Sequence, residues 1–213
     1  MNFISTLKIK MTGRSRFARV ALVAGLVVAL AGACAAPPPA PEDAFYRLSP
    51  RAESPLMATP VLKGMVEVDR FTASGSLGSR PLLFSEPGSN TVTEYRYQYW
   101  IEAPPVLLQN ALVSYLRSAG VAERVASVGL KLRPDYTVRG RIMALETVEG
   151  PTSSGLVELE LSLRRERDNK VLVLREYRVQ MPSAAKNVKS DAAAIERAVT
   201  QVFASFVEDI TKL

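Results

Sequence analysis

Along residues 156–181, LVELELSLRRERDNKVLVLREYRVQM, apolar and polar positions alternate almost without a break. Side chains of an extended chain point to opposite faces with period two, so Val157, Leu159, Leu161 and Leu163 share one face and Glu158, Glu160, Ser162 and Arg164 the other. The alternation pauses around Asp168 and Asn169 and resumes at Val171, Val173, Tyr177 and Val179. An antiparallel hairpin with one wet and one covered face is predicted. Shorter runs of the same kind begin at Phe45 (FYRLSP), at Val61, where Val66 and Val68 alternate with Glu67 and Asp69, and at Arg80 (RPLLFSEPGSN). DYTVRGRIMALETV places Tyr136, Val138, Ile142 and Ala144 on one predicted face and Arg139 and Arg141 on the other. In EYRYQYW, residues 94–100, Tyr95, Tyr97 and Tyr99 are expected on one face and Arg96, Gln98 and Trp100 on the other.

Two segments change to a helical period. After Ala103, Pro104 and Pro105, where a strand must stop and a helix can start, Leu108, Leu112, Tyr115, Leu116 and Ala119 form one stripe ended by Gly120. Near the C-terminus, Ile195, Ala198, Val199, Val202, Phe203, Phe206 and Ile210 recur at helical spacing, with Ser190 or Asp191 as the expected cap. Strands dominate and only two long helices are expected. The fold class is therefore α+β: a mostly antiparallel sheet with both helices packed on one face.

The N-terminus reads differently. Residues 1–19 carry Lys8, Lys10, Arg14, Arg16 and Arg19 and no acid, and lead into 14 uncharged residues, VALVAGLVVALAGA. A membrane-spanning helix needs about 20 apolar residues, so this is the layout of a signal peptide. Met11 opens a tidier signal than Met1, and both starts stay open. The apolar run ends at Cys34, the only cysteine in the chain, preceded by Ala31, Gly32 and Ala33. This resembles the lipobox of bacterial lipoproteins, with alanine where leucine usually stands three residues before the cysteine. The resemblance implies cleavage before Cys34, a covalent lipid on its sulfur and no other cofactor. AAPPPAPEDA follows, a tether with polyproline II reach of roughly 30 Å to Phe45. The expected organisation is 1–33 signal peptide, 34–44 acylated cysteine and Pro-rich linker, and 45–213 a single domain. Ala35 after the cysteine implies, by the lipoprotein sorting rule, the outer membrane.

Processing changes what the charge means. The chain has 27 basic and 21 acidic residues, and loss of the five basic residues in the leader leaves 22 against 21. A nucleic-acid role, which needs a basic surface to displace counterions, loses its support.

Candidate chemistry is sparse. The absence of histidine removes Ser-His-Asp catalysis and imidazole metal ligands, and no metal site is expected. Ser183 to Lys186, SAAK, matches S-x-x-K, but the S-D-N and K-T-G motifs that accompany it in penicillin-recognising enzymes are missing. Glu158 and Glu160 alternate with leucines on a solvated face, which is no cleft. No catalytic residue is assigned. The cationic tip RRERDNK reads as a solvated turn, with contact to acidic headgroups or a partner as the sharper reading.

A lipidated cysteine, FYRL soon after it, RP before an apolar strand, and YRYQYWIEAPPVLLQNALVSYL together resemble the PqiC-like ABC-type transport auxiliary lipoprotein family. The matching positions are Tyr95, Tyr99, Trp100, Pro105, Leu108, Leu112 and Leu116. The resemblance implies a sheet with helices packed against it. It also implies a non-catalytic accessory lipoprotein on the periplasmic face of the outer membrane, partnered by an MCE-domain protein and an ABC permease and ATPase in lipid transport. Self-association stays open. Tyr95, Tyr97, Tyr99 and Trp100, with the 73–80 loop, are the expected partner-binding elements, although structural packing is the default reading of such a stripe. A lipid carrier with an apolar cavity is the alternative.

Overall fold

The computed structural model describes residues 41–52, 57, 59–129 and 133–213. The expected leader, Cys34 and most of the tether lie outside the described residues. Residues Glu42–Leu213 form one compact unit. In chain order its elements are β1 (Ala44–Tyr46), β2 (Leu62–Val68), a 3-10 turn (Gly75–Gly78), β3 (Pro81–Ser85), β4 (Val92–Trp100), α1 (Pro104–Ala119), β5 (Ala122–Ser127), β6 (Tyr136–Val148), β7 (Ser154–Arg165), β8 (Lys170–Pro182) and α2 (Val188–Thr211). The chain is α+β, as its periodicity predicts. β5, whose AERVAS carries two charges in six residues, has too weak an alternation to be read in advance.

All eight strands join one sheet around β6. One edge of β6 pairs along its whole length with β7, antiparallel, and β7 pairs the same way with β8. The other edge of β6 is shared: its start pairs with β2 and its end with β3, both parallel and short. Between those pairings the chain stays on β6, with Asp69 N donating to Val138 O and Thr72 N to Gly140 O at 2.9 Å. β3 carries β4 antiparallel, β4 carries β1 parallel, and β2 carries β5 parallel. The long pairings are antiparallel, so the sheet is mostly so; the parallel ones depend on connections that a pattern along the chain does not specify.

Both helices lie over one sheet face and share its core. Leu108, Leu112 and Leu116 of α1 and Ile195, Phe203 and Phe206 of α2 are buried with Leu159, Leu161 and Leu163 of β7. Fully burying a side chain of this size stabilises by roughly 1.5–3 kcal/mol, so this layer outweighs any surface contact described below. Gly120 ends α1 in the left-handed conformation at φ 65°, its N–H bonded to Arg117 O and Leu116 O. Asn187, rather than Ser190 or Asp191, caps α2: its side chain accepts from Ser190 N at 2.9 Å.

Three irregularities overturn parts of the predicted faces. In β6 the register slips between Ile142 and Ala144. Met143 is extruded, Ala144 then sits opposite Glu158 on the outer face, and Leu145 enters the core opposite Val157. In β8 a slip opposite Leu163 and Arg164 leaves Val171 52% exposed rather than in the alternation. The third lies in β4 and bears on the aromatic stripe.

Candidate functional site

β4 does not alternate through its tyrosines. Its register against β3 jumps from Pro81 opposite Tyr99 to Leu83 opposite Glu94, so the intervening β4 residues bulge out. Tyr97 holds the bulge with φ 61°, a left-handed conformation uncommon for a side chain of this size. The consequence is a change of face. Tyr95 and Trp100 both turn to the core side, Trp100 at 1% exposure, whereas an unbroken strand would separate them. Tyr99 turns outward. The single-face stripe of Tyr95, Tyr97 and Tyr99 is thus corrected, and Trp100 has no surface to offer a partner.

Each aromatic has its own setting. Tyr95 packs on Phe84 with ring centroids 4.5 Å apart, and its hydroxyl donates to Glu149 Oε1 at 3.1 Å. Burial first, then that bond, pushes the phenol well above its ordinary range, so it remains a neutral donor. Tyr99 stacks on Phe45 of β1 at 5.8 Å with the rings 29° apart. Arg80, at the end of the 73–80 loop, lies 5.2 Å over the Phe45 ring, and its Nε donates to Trp100 O at 3.1 Å. Strand 94–100 and loop 73–80 therefore meet at one place, through Phe45. Stacking of this kind contributes about 0.5–1.5 kcal/mol and an exposed cation–π contact about 0.5–1 kcal/mol. These contacts hold the patch in shape but are too weak to explain the fold.

The patch is at an open margin. β1 ends the strand order, paired only with β4, and Phe45 remains 51% exposed with Tyr97 at 37%. A sheet edge with unpaired backbone groups and flanking aromatics can receive a partner's strand or loop. Phe45 and Arg80 complete this surface. Arg80 belongs to the expected 73–80 loop, whereas Phe45 was not assigned from the sequence, because the parallel β1–β4 pairing joins residues more than fifty positions apart.

Ser183 and Lys186 do not form a nucleophile and its activator. Ser183 and Ser153 both donate to Asp191 Oδ1 at 2.6 Å, all three buried, and Ser183 N donates to Ser153 O at 2.8 Å. The cluster clips the ends of β7 and β8 to the first turn of α2, where a negative charge also suits the helix dipole. Asp191→Ala, which leaves two buried hydroxyls without an acceptor, is expected to cost about 2 kcal/mol. Ser183→Ala leaves Ser153 bonded and is expected to cost about half as much. Urea midpoints of the two variants check this; equal costs would contradict the shared-acceptor account.

The interface between sheet and helices is densely filled, and the groove between α1 and α2, about 780 Å³ with Met57, Tyr115, Ala119, Met181 and Val207 in its lining, is open to solvent. Leu159, Leu161, Ile195, Phe203 and Phe206 fill that interface with no exposed surface. The larger grooves open to solvent and have mixed polar lining, as beside α1, where Arg47, Arg51, Glu102 and Asn110 surround about 720 Å³. Among the described residues no acidic or cysteine cluster could hold a metal ion, and no helix is long and apolar enough to cross a membrane.

Comparison with known proteins adds a family. The model of the ABC-type transport auxiliary lipoprotein component family matches residues 46–207. No curated protein matches the chain significantly. A crystal structure of a Xanthomonas campestris protein of the DUF330 family superposes with TM-score 0.67 at 23% identity, covering 77% of this chain and 92% of that one. A second, of a protein described as uncharacterized, gives 0.64 at 13% identity, covering 80% and 99%. The PelC dodecamer from Paraburkholderia phytofirmans is more distant, at 0.42 and 10% identity over 71% and 92%. The first two share the fold.

Proposed function

The chain belongs to the ABC-type transport auxiliary lipoprotein family, and from that premise we propose that it is a non-catalytic docking lipoprotein of an intermembrane lipid transport system. Cys34 is its acylated residue and the outer membrane its anchorage, with the domain on the periplasmic side. The partner is an MCE-domain protein, itself served by an ABC permease and ATPase.

The observation that supports docking is the aromatic edge. Exposed Phe45 and Arg80 and half-buried Tyr99 form a preorganised surface at the edge made by β1, the first element after the tether. Ala44 lies ten positions after Cys34, so a polyproline tether gives a reach of roughly 30 Å. Tethering within that distance raises the effective concentration of a weak binder without any further contact. Tyr97 and Tyr99 are the members of the aromatic strand that can touch a partner; Tyr95 and Trp100 support them from below.

A carrier role has less support: an acyl chain needs an enclosed apolar cavity, the sheet–helix interface is filled, and the groove between α1 and α2 is open and carries Glu196, Arg197 and Glu208 among its apolar lining. Catalysis at Ser183 finds none either, because its hydroxyl is committed to Asp191.

The test has two arms. Cys34→Ser is expected to abolish incorporation of labelled palmitate and move the chain from the membrane to the soluble fraction. The double variant Phe45→Ser, Tyr99→Ala is expected to stay folded and in the membrane, with a melting temperature lowered by only about 2–8 °C for the lost ring and cation contacts, yet lose at least tenfold in capture by the MCE-domain protein. That loss corresponds to about 1.4 kcal/mol, the removal of one exposed and one half-buried aromatic from an interface. Undiminished capture would reject the docking surface, and an unlabelled wild-type chain would reject the anchor.

A further inference from the structure

The hairpin tip RRERDNK is part of a larger arrangement. Where β2, the segment before β6 and the β7–β8 tip come together, a groove of about 750 Å³ is lined by Lys63, Arg133, Arg165 and Arg167 with Val61 at its rim. These cations come from three separate stretches of chain, and backbone bonds hold them together. Gly64, at φ 95°, lies against Asp135 so closely that a Cβ would fall 2.1 Å from its Oδ2. That oxygen accepts from Met65 N at 2.7 Å, and Asp135 N donates to Met65 O at 2.9 Å. Glu166 N then donates to Asp135 O at 2.9 Å. Lys63, Arg133 and Arg167 each lie within two residues of this staple, so their placement follows from it.

Asp135, Glu166 and Asp168 are already occupied, while Glu67, near enough to Glu166 for their charges to repel, is the nearby carboxylate without an ion pair among the described residues. Asp135 is turned onto the β2 backbone. Glu166 accepts from Thr137 Oγ1 at 2.5 Å and from Arg164, and these bonds hold its carboxyl below the usual range. Asp168 takes both donors of Arg165, which lowers its pKa to about 2. Lys63, Arg133 and Arg167 form no ion pair among the described residues. All three are exposed, in a mature chain whose net charge is close to neutral. Val61, 40% exposed, stands at the rim of the groove, and Val171, 52% exposed, lies one strand further out, opposite Arg164 at the base of the tip.

We propose that this groove is a second membrane contact, in which Lys63, Arg133 and Arg167 meet the phosphates of anionic phospholipid headgroups while Val61 and Val171 reach the acyl boundary. Unpaired cations beside exposed aliphatic side chains are the combination an anionic lipid surface attracts, and a soluble anion has no use for the valines. The contact fixes which way the tethered domain faces. It goes beyond the docking reading, and uses from it only the membrane anchor.

The experiment uses the full chain carrying Cys34→Ser, so that no acyl group binds vesicles. Its sedimentation with vesicles of phosphatidylethanolamine and phosphatidylglycerol is compared with that of the same chain carrying Lys63→Gln, Arg133→Gln and Arg167→Gln. The cationic leader contributes equally to both, so only the difference counts. Loss of three cations is expected to weaken binding by about tenfold or more at low salt. The difference should shrink as salt rises, and the triple exchange Lys63→Arg, Arg133→Lys, Arg167→Lys should keep binding. Equal binding by the neutralised chain overturns the proposal. So does a chain that ignores vesicles but is thermally stabilised by inorganic phosphate or by polyglutamate, which would make the groove a site for a soluble anion or an acidic protein. None of these readouts involves palmitate labelling or capture by the MCE-domain protein, so this contact and the docking function fail separately.

Discussion

Gly155→Val is expected to abolish stable folding or to lower the urea midpoint sharply. Gly155 pairs with Thr147 on one side and Met181 on the other, and α2 crosses directly over it. A Cβ there would stand 2.4 Å from Ile195 N, 2.7 Å from Ala194 C and 2.8 Å from Ile195 Cα. All three are backbone atoms of a helix whose Ala194, Ile195, Ala198 and Val199 have no exposed surface, so nothing nearby can yield by a rotamer change. Overpacking costs typically 1–3 kcal/mol where side chains can shift, and the rigid case is expected at the upper end, about 3 kcal/mol or more. The entropic gain from replacing glycine, about 0.4–1 kcal/mol, is too small to offset it. Against a total stability of about 5–15 kcal/mol, such a loss is visible in chemical denaturation. An unchanged midpoint with an unchanged denaturant slope would show that α2 does not sit this close to β7.

Trp100→Ala is expected to cost about 3–5 kcal/mol, the range for deleting a fully buried large aromatic. Trp100 is among the largest fully buried side chains, and its backbone ties three segments: its N donates to Arg80 O at 2.7 Å, its O accepts from Arg80 Nε, and it pairs with Tyr46 of β1. A cavity there undermines the edge that carries Phe45 and Tyr99, so partner capture should fall together with stability. Tyr99→Ala, by contrast, is expected to lower capture while costing only about 1 kcal/mol of stability, the value of its stack on Phe45. Trp100 is the only tryptophan of the chain, so wild-type unfolding can be followed by its emission and the variant by far-ultraviolet circular dichroism. A fully stable Trp100→Ala protein that has still lost capture would place Trp100 in the interface and contradict its burial.

The two readings of EYRYQYW differ for a physical reason. Period two assigns faces only while each residue advances the strand by one step, and one left-handed residue resets the count. Tyrosine is compatible with core margin, surface and bulge alike, so Tyr97 leaves no mark in composition. Met143 and Leu172 hide their slips in the same way, being apolar residues inside apolar runs. The helices were easier to read, because their stripes recur over many turns and Pro104, Pro105 and Gly120 punctuate one of them. Ser183 shows the opposite limit: a four-residue pattern suggested chemistry, and its partner proved to be Asp191, eight positions on, shared with a serine thirty residues before.

What the amino-acid order determined unaided was the class of the fold, the two helices, the long hairpin and the absence of histidine-based chemistry. Each depends on local periodicity or on composition, and neither needs a distant partner. Tertiary structure alone decided the parallel pairings, the meeting of Phe45 with Tyr99 and Arg80, and the gathering of Lys63, Arg133 and Arg167 beside the hairpin tip. Those features join residues tens of positions apart through backbone hydrogen bonds, which carry no side-chain signature, so no pattern along one dimension could announce them.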